Sequence, residues 1–264
     1  MSSTVLTPAD DRSRFQQSPS APSLLQLVRV ELRKSADTRA GRWLLVAIAA
    51  AALLVVGLQL FFDDGVDGSF AYFFTASQFP VGLLLPVLGI LLVTSEWSQR
   101  TAMTTFALVP RRSQVLTAKV LAATVLAVLG VLAAAAVSAL ATALTPVVTD
   151  LEAGWELSGA QLAQVLLVQI VYVLVGVAFG MLLLSSPLAI VLYFLLPTVF
   201  TILVSTVGAL DWVQNWLDLS MTTIPMYEGQ LDGQGWAQVG TSVALWLLLP
   251  LVVGWLRIQR AEIA

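Results

Sequence analysis

Asp63-Asp64-Gly65-Val66-Asp67 carries the Asp-Asp-x-x-Asp spacing with which prenyl-transferring enzymes hold magnesium diphosphate, a chemistry that needs clustered hard oxygen ligands. Here the run stands without a second acidic cluster nearby, and it reads as a solvated acidic loop. The 264 residues include no Cys and no His, so disulfides, thiolate nucleophiles, imidazole ligands and histidine proton relays are excluded. Two sets of neutral polar residues remain. Thr198, Thr201 and Ser205 recur at i, i+3 and i+7 with Gly208 continuing the row, and Thr75, Ser77 and Gln78 cluster in another apolar stretch. Such stripes could line a substrate path, or they could hydrogen-bond neighbouring helices in ordinary packing.

The elements that must position these residues follow from the charges. Thirteen Lys and Arg and 16 Asp and Glu make only 11% of the chain, against roughly 25% in an ordinary soluble domain. Uncharged intervals of 20, 28, 30, 54 and 24 residues separate Arg42 from Asp63, Asp67 from Glu96, Lys119 from Asp150, Glu156 from Asp211 and Asp232 from Arg257. About 20 apolar residues at about 1.5 Å each cross about 30 Å of hydrocarbon. These intervals therefore predict membrane spans and exclude a soluble enzyme or a basic nucleic-acid binder. The 54-residue interval is too long for one crossing, and Ser185-Ser186-Pro187 is its strong interruption, since Pro removes a donor and biases its predecessor away from helix. The expected fold is an all-α polytopic membrane protein with six transmembrane helices, at about 43–62, 70–94, 120–144, 162–184, 188–210 and 238–256. Gly176 and Gly180 form a Gly-xxx-Gly pattern that predicts close helix packing in the fourth span.

Six spans put both termini on one side, and the positive charges say which. Seven Lys and Arg precede the first span, four (Arg100, Arg111, Arg112 and Lys119) lie between spans two and three, and Arg257 and Arg260 follow span six. All 13 thus share a face with six acids, for +7, while the other face has ten acids and no Lys or Arg, for −10. The N- and C-termini are expected to be cytoplasmic. Trp43, Trp97 and Trp255 mark the inner boundary and Trp155, Trp212, Trp216 and Trp236 the outer one, with Trp246 in mid-span. The spans hold no ionisable group, which suits a carrier driven from outside the bilayer and an apolar or amphipathic substrate.

Residues 1–23, rich in Ser, Pro and Gln, read as a disordered cytoplasmic tail rather than a signal peptide. In 24–40, Leu24, Val28 and Leu32 recur at i, i+4 and i+8 apart from Arg29, Arg33 and Lys34, predicting an amphipathic helix along the inner interface, as a surface anchor or as a contact for a partner. The loop 95–119 is longer than a hairpin needs. It holds Ser95-Glu96-Trp97-Ser98-Gln99-Arg100-Thr101, then a short helix, then Pro110-Arg111-Arg112, with Ser113 as an N-cap for the helix leading to span three. Met103, Phe106 and Ala107 at i, i+3 and i+4 make a small apolar knob, suited to a groove on another protein or to lying among lipid headgroups.

At this loop the chain resembles the membrane subunit of ATP-binding cassette exporters of the type-2 permease family, in the bacterial form with a separate ATPase. The resemblance rests on Glu96 soon after span two, Arg100-Thr101, the short helix, Pro110-Arg111-Arg112, Lys119 at the mouth of span three, and Glu31-Leu32-Arg33-Lys34 followed by Asp37-Thr38-Arg39 before span one. The motifs cover about 24–144; the rest matches by topology. The resemblance implies that 101–109 is the coupling helix, with Glu96, Arg100, Thr101, Met103, Phe106, Pro110, Arg111 and Arg112 serving the contact with the ATPase. It also implies that 24–40 is the connecting helix, that 211–235 forms short re-entrant helices near the outer surface, and that two permease chains, identical or different, enclose the path. Spans two and five border that path in the family, which adds weight to Thr75, Gln78, Thr198, Thr201 and Ser205 as its lining.

No Gly-x-x-x-x-Gly-Lys-Ser/Thr phosphate loop is present, so the chain is not expected to be an enzyme or to bind a cofactor itself. ATP and magnesium would be used by the partner ATPase. The expected setting is the bacterial plasma membrane, with lipid around the spans. An ATP-independent membrane scaffold or regulatory subunit is the alternative reading.

Overall fold

A computed structural model describes residues 22–62, 65–99, 101–109 and 111–260, and not the side chains of Ala102, Phe106 and Ala107. Nearly all of the expected tail, Asp63 and Asp64 of the acidic motif, Arg100, Pro110 and 261–264 therefore lie outside the described residues.

The chain begins in α1 (Leu24–Asp37), nucleated by a reciprocal cap in which the Ser23 hydroxyl accepts from the Gln26 amide and the Gln26 side chain accepts from the Ser23 amide. The expected helix 24–40 ends early. Thr38 adopts an extended conformation and its hydroxyl accepts the Gly41 N–H at 3.1 Å, so the chain turns and α2 (Arg39–Phe62) starts at once. A Cβ at Gly41 would run into the Ser35 carbonyl, which is why this corner takes glycine.

The next helices are α3 (Phe70–Ser98), the short α4 (Ala102–Leu108), α5 (Arg112–Val148), α6 (Gly159–Leu183) and α7 (Ser186–Thr206). Beyond α7 come a 3₁₀ turn (Gly208–Leu210), α8 (Asp211–Leu217), α9 (Leu219–Thr223) and a second 3₁₀ turn (Ile224–Tyr227). The last crossing is continuous but composite: α10 (Gly233–Val243), a π-helical turn (Ala244–Leu248) and α11 (Leu249–Arg260). Among the described residues six helices are long and apolar enough to cross a membrane: α2, α3, α5, α6, α7 and the Gly233–Arg260 composite. The protein is thus a helical, multi-pass membrane protein. The interruption at Ser185-Ser186-Pro187 does separate two helices: Leu184 caps α6 in the left-handed region at φ 55°, and α7 starts at Ser186 with Pro187 in its first turn.

The central pair is α3 and α6, the two most enclosed crossings. They meet backbone to backbone, as the Gly-xxx-Gly pattern predicts. A Cβ on Gly176 would strike the Pro86 carbonyl oxygen, and one on Gly180 would lie 3.2 Å from the Ile90 carbonyl. On the α3 side, Gly89 comes as close to the Val173 carbonyl. The helices α2 and α7 are the least enclosed and leave Leu53, Leu54 and Phe61, and Leu188, Val191 and Leu195, exposed as lipid-facing helices do.

The bundle has two distinct ends. At one, Ser69 caps α3, Ser158 caps α6, and the loops before them are joined by the Phe70 N–H to Gly154 carbonyl bond of 2.7 Å; α8 and α9 sit at this end. At the other, the first turns of α5 gather both ends of the described chain. Arg112 donates to the carbonyls of Ile258 and Gln259 at 3.0 and 3.2 Å, and Gln114 donates to that of Pro22 at 3.0 Å.

Candidate functional site

At the end where α1 and α4 lie, four charged side chains meet inside the protein. Glu31 and Lys34 sit one turn apart on α1, Glu96 is in the last turn of α3, and Lys119 is two turns into α5. The Lys119 ammonium has three donors and three partners: Glu31 Oε2 at 2.8 Å, the Leu92 carbonyl at 2.8 Å and Glu96 Oε1 at 3.3 Å. Lys34 bridges the same carboxylates from the rim, 3.0 Å from Glu31 Oε1 and 2.8 Å from Glu96 Oε1. Two anions and two cations make the cluster formally neutral. It has to be, because Lys119 is 2% exposed, Glu31 4% and Glu96 5%, and an unmatched charge at that depth costs several kcal/mol. Burial alone would lower the Lys34 ammonium, but Glu31 and Glu96 more than offset that and hold it above the ordinary lysine value.

The cluster also holds the short helix. Glu96 Oε1 accepts from the Thr105 hydroxyl of α4 at 3.3 Å, and the Glu96 carbonyl accepts the Thr101 N–H at 2.9 Å. With Thr105 and Val109 turned inward, α4 presents Met103 and Leu108 outward, 54% and 74% exposed. A cleft of about 480 Å³ separates α4 from α1, lined by Leu27, Val30, Thr104, Leu108 and three of the charged residues, Glu31, Lys34 and Glu96. The residues singled out in sequence thus divide. Glu96 is central, Thr101 starts α4 and Met103 is exposed on it, whereas Arg112 is turned to the end of α11 and Arg111 is exposed. Arg100, Pro110 and the Phe106 side chain lie outside the described residues. Sequence reasoning did not see the pairing of Glu31, Lys34 and Lys119 with Glu96, nor the part played by Thr105 and Leu108. The signal available was four charges at the edges of apolar runs, with nothing to say which faced which.

The candidate path residues divide as well. Gln78 and Thr198 line one cavity of about 290 Å³ toward the opposite end of the bundle. Gln78 is fully buried, donating to the Phe74 carbonyl at 3.2 Å and accepting from Gln169 Nε2 at 3.3 Å. Thr198 donates to its own helix at Phe194. Thr75 meets Gln161 at 3.5 Å and stands outside this lining, Thr201 does too, and Ser205 is exposed and donates to the Ile202 carbonyl. The aromatic residues of the cavity, Phe79, Tyr172, Tyr193, Phe194, Tyr227 and Trp246, were not legible as a group. Burial, with Tyr172 nearby, pushes the Tyr227 hydroxyl upward, so it stays neutral at ordinary pH.

Of the acidic motif, Asp67 is described and accepts the Ser69 N–H at 2.8 Å, a turn-forming bond before α3. Among the described residues no group of three or more acidic side chains is placed to hold a metal ion. Compared with protein-family models and with curated proteins, the chain matches none.

Proposed function

We propose that this protein is the membrane-spanning permease subunit of an ATP-binding cassette exporter, driven by a separate cytoplasmic ATPase that docks on α4. The observation that carries the reading is the buried cluster of Glu31, Lys34, Glu96 and Lys119. It fastens α1 and α4 to α3 and α5 by ion pairs and hydrogen bonds, so a push on α4 reaches two crossing helices through stiff contacts. The residues of the family resemblance at Glu31, Lys34, Glu96 and Lys119 are the ones that converge there. Outward-facing Met103 and Leu108 supply an apolar contact for the partner.

In this reading the end bearing α1 and α4 is cytoplasmic, in keeping with the positive-inside distribution, and the setting is a bacterial plasma membrane. The short helices α8 and α9 are the outer re-entrant segment, and a second permease chain completes the path. ATP and magnesium act in the partner, whose closure around nucleotide would shift the crossings between inward and outward access. The cargo is apolar or amphipathic and moves outward.

The test is co-purification of the tagged protein under gentle solubilisation, then ATP hydrolysis by the complex with Met103→Asp introduced. The expected result is an accompanying ATPase and at least about tenfold weaker docking or coupling in the variant, since an apolar anchor contributes about 2 kcal/mol. Purification without an ATPase would favour an ATP-independent scaffold or regulatory subunit, and unchanged coupling in Met103→Asp would remove α4 from the docking surface.

A further inference from the structure

The cavity lined by Gln78 and Thr198 has a composition that selects its ligand. Its wall is built from Tyr172, Tyr193, Tyr227, Trp246 and Phe194, aromatic faces that attract a cation by their quadrupoles. Trp246 is placed there by the π-helical turn, a rare geometry found mostly at functional sites. Its indole N–H is already spent on the Leu217 carbonyl at 2.8 Å, so what it offers the cavity is its ring.

Asp218 supplies a buried acid beside the cavity. Leu219 and Ser220, the next two residues, line the cavity, and Thr223 at the end of the short helix that Asp218 caps lies 3.1 Å from the hydroxyl of the cavity residue Tyr172. Asp218 is 2% exposed. Its Oδ1 accepts the N–H groups of Ser220 and Met221 at 2.9 and 3.2 Å, but Oδ2 has no partner, and among the described residues no cation is paired with it. A second buried acceptor of this region, Gln169 Oε1, is also unpartnered, and it lies about van der Waals distance from the Gly82 position in the cavity wall. An amide can be turned to exchange donor for acceptor, whereas a carboxylate cannot. Beside the wall, rather than in it, stand two buried acceptors without a donor, one of them an acid with no cation paired to it among the described residues. An anionic ligand would be repelled, and a purely apolar one would leave Oδ2 buried and unpaired.

We propose that this cavity binds an amphiphile carrying one positively charged nitrogen, its head toward Asp218 and Tyr172 and its apolar chain toward Phe194 on α7. Binding follows from the cavity alone; that the bound amphiphile is cargo rests on the exporter reading above. The experiment uses the full chain in nanodiscs of zwitterionic lipid, without any ATPase, so its outcome is separate from that of the docking test. Octyltrimethylammonium, octanol and octyl sulfate are titrated, and binding is followed by tryptophan fluorescence and calorimetry.

The parent protein is expected to bind the ammonium in a saturable way at least about tenfold more tightly than octanol, with octyl sulfate weakest. Asp218→Asn keeps an oxygen to cap α9 and is expected to lose about tenfold of that preference while octanol binding changes little. Equal binding of ammonium and octanol by the parent, or an undiminished preference in Asp218→Asn, would overturn the proposal. Should Asp218→Asn fail to fold, Thr198→Trp fills the cavity from α7, and unchanged ammonium binding there would overturn it equally.

Discussion

Replacing Lys119 by Met tests the charge cluster at its most buried member. The substitution keeps length and apolar bulk but removes the ammonium that lies 2.8 Å from Glu31 and 3.3 Å from Glu96. At an effective dielectric of about 20, each contact is worth about 5–6 kcal/mol in gross Coulomb energy, most of it offset by the cost of desolvating the ion. The variant leaves two carboxylates, 4% and 5% exposed, with only the half-exposed Lys34 between them, and it removes the second hydrogen bond accepted by the Leu92 carbonyl. The expected loss is about 3–5 kcal/mol of unfolding free energy, the usual result of breaking a buried pair from one side. Glu31→Gln added to Lys119→Met restores formal neutrality, and the double variant should recover to within about 2 kcal/mol of the parent. Reversible denaturant titration in mild detergent measures all four corners of the cycle. Were the double variant to lose as much as the two single losses added together, the cluster would be held by packing, and the electrostatic reasoning would be wrong.

Two further measurements bear on the same structure. Lys34 binds its proton more tightly folded than unfolded, so its contribution is complete below about its ordinary value of 10.5 and is lost as pH rises through the higher folded value. Because the side chain is 45% exposed, Lys34→Met should cost no more than about 1 kcal/mol at neutral pH, and the gap from the parent should close on the alkaline side; a gap that persists there would indicate packing instead. Gly176→Ala should destabilise by about 1–3 kcal/mol by forcing α6 off the Pro86 carbonyl. Gly57→Ala in α2, where a Cβ meets open space, should stabilise by about 0.5–1 kcal/mol, and unfolding midpoints that moved together would deny the close packing of α3 and α6.

Helix starts were legible unevenly: α7 begins within two residues of expectation without a side-chain cap, whereas the last crossing begins five residues early although Asp232 caps it. Ser69 and Ser158 accept N–H groups from the first turns of α3 and α6, and these crossings begin within three residues of expectation. The helix leading into the third crossing was expected to follow Ser113 as its N-cap; it starts at Arg112, with Ser113 inside its first turn, and runs through the expected span 120–144 to Val148, because the polar residues before the span form helix in water. Hydropathy marks where hydrocarbon begins, not where hydrogen bonding stops.

The six crossings were readable from sequence alone because the cost of charge in hydrocarbon acts on each residue separately, so uncharged intervals translate directly into helices. The break at Ser185-Ser186-Pro187 was readable for the same reason, since a missing N–H is a local defect. Pairing is not local. Glu31 and Lys119 are 88 residues apart, and Trp246 meets Leu217 only because a π turn rotates it there. Which charges neutralise one another, and which aromatic rings gather beside a buried acid, depend on the packing of α1, α3, α5, α6 and α7. That packing is set by backbone approach at glycines such as Gly176 and by the volume of buried side chains, and it exists only in the assembled bundle.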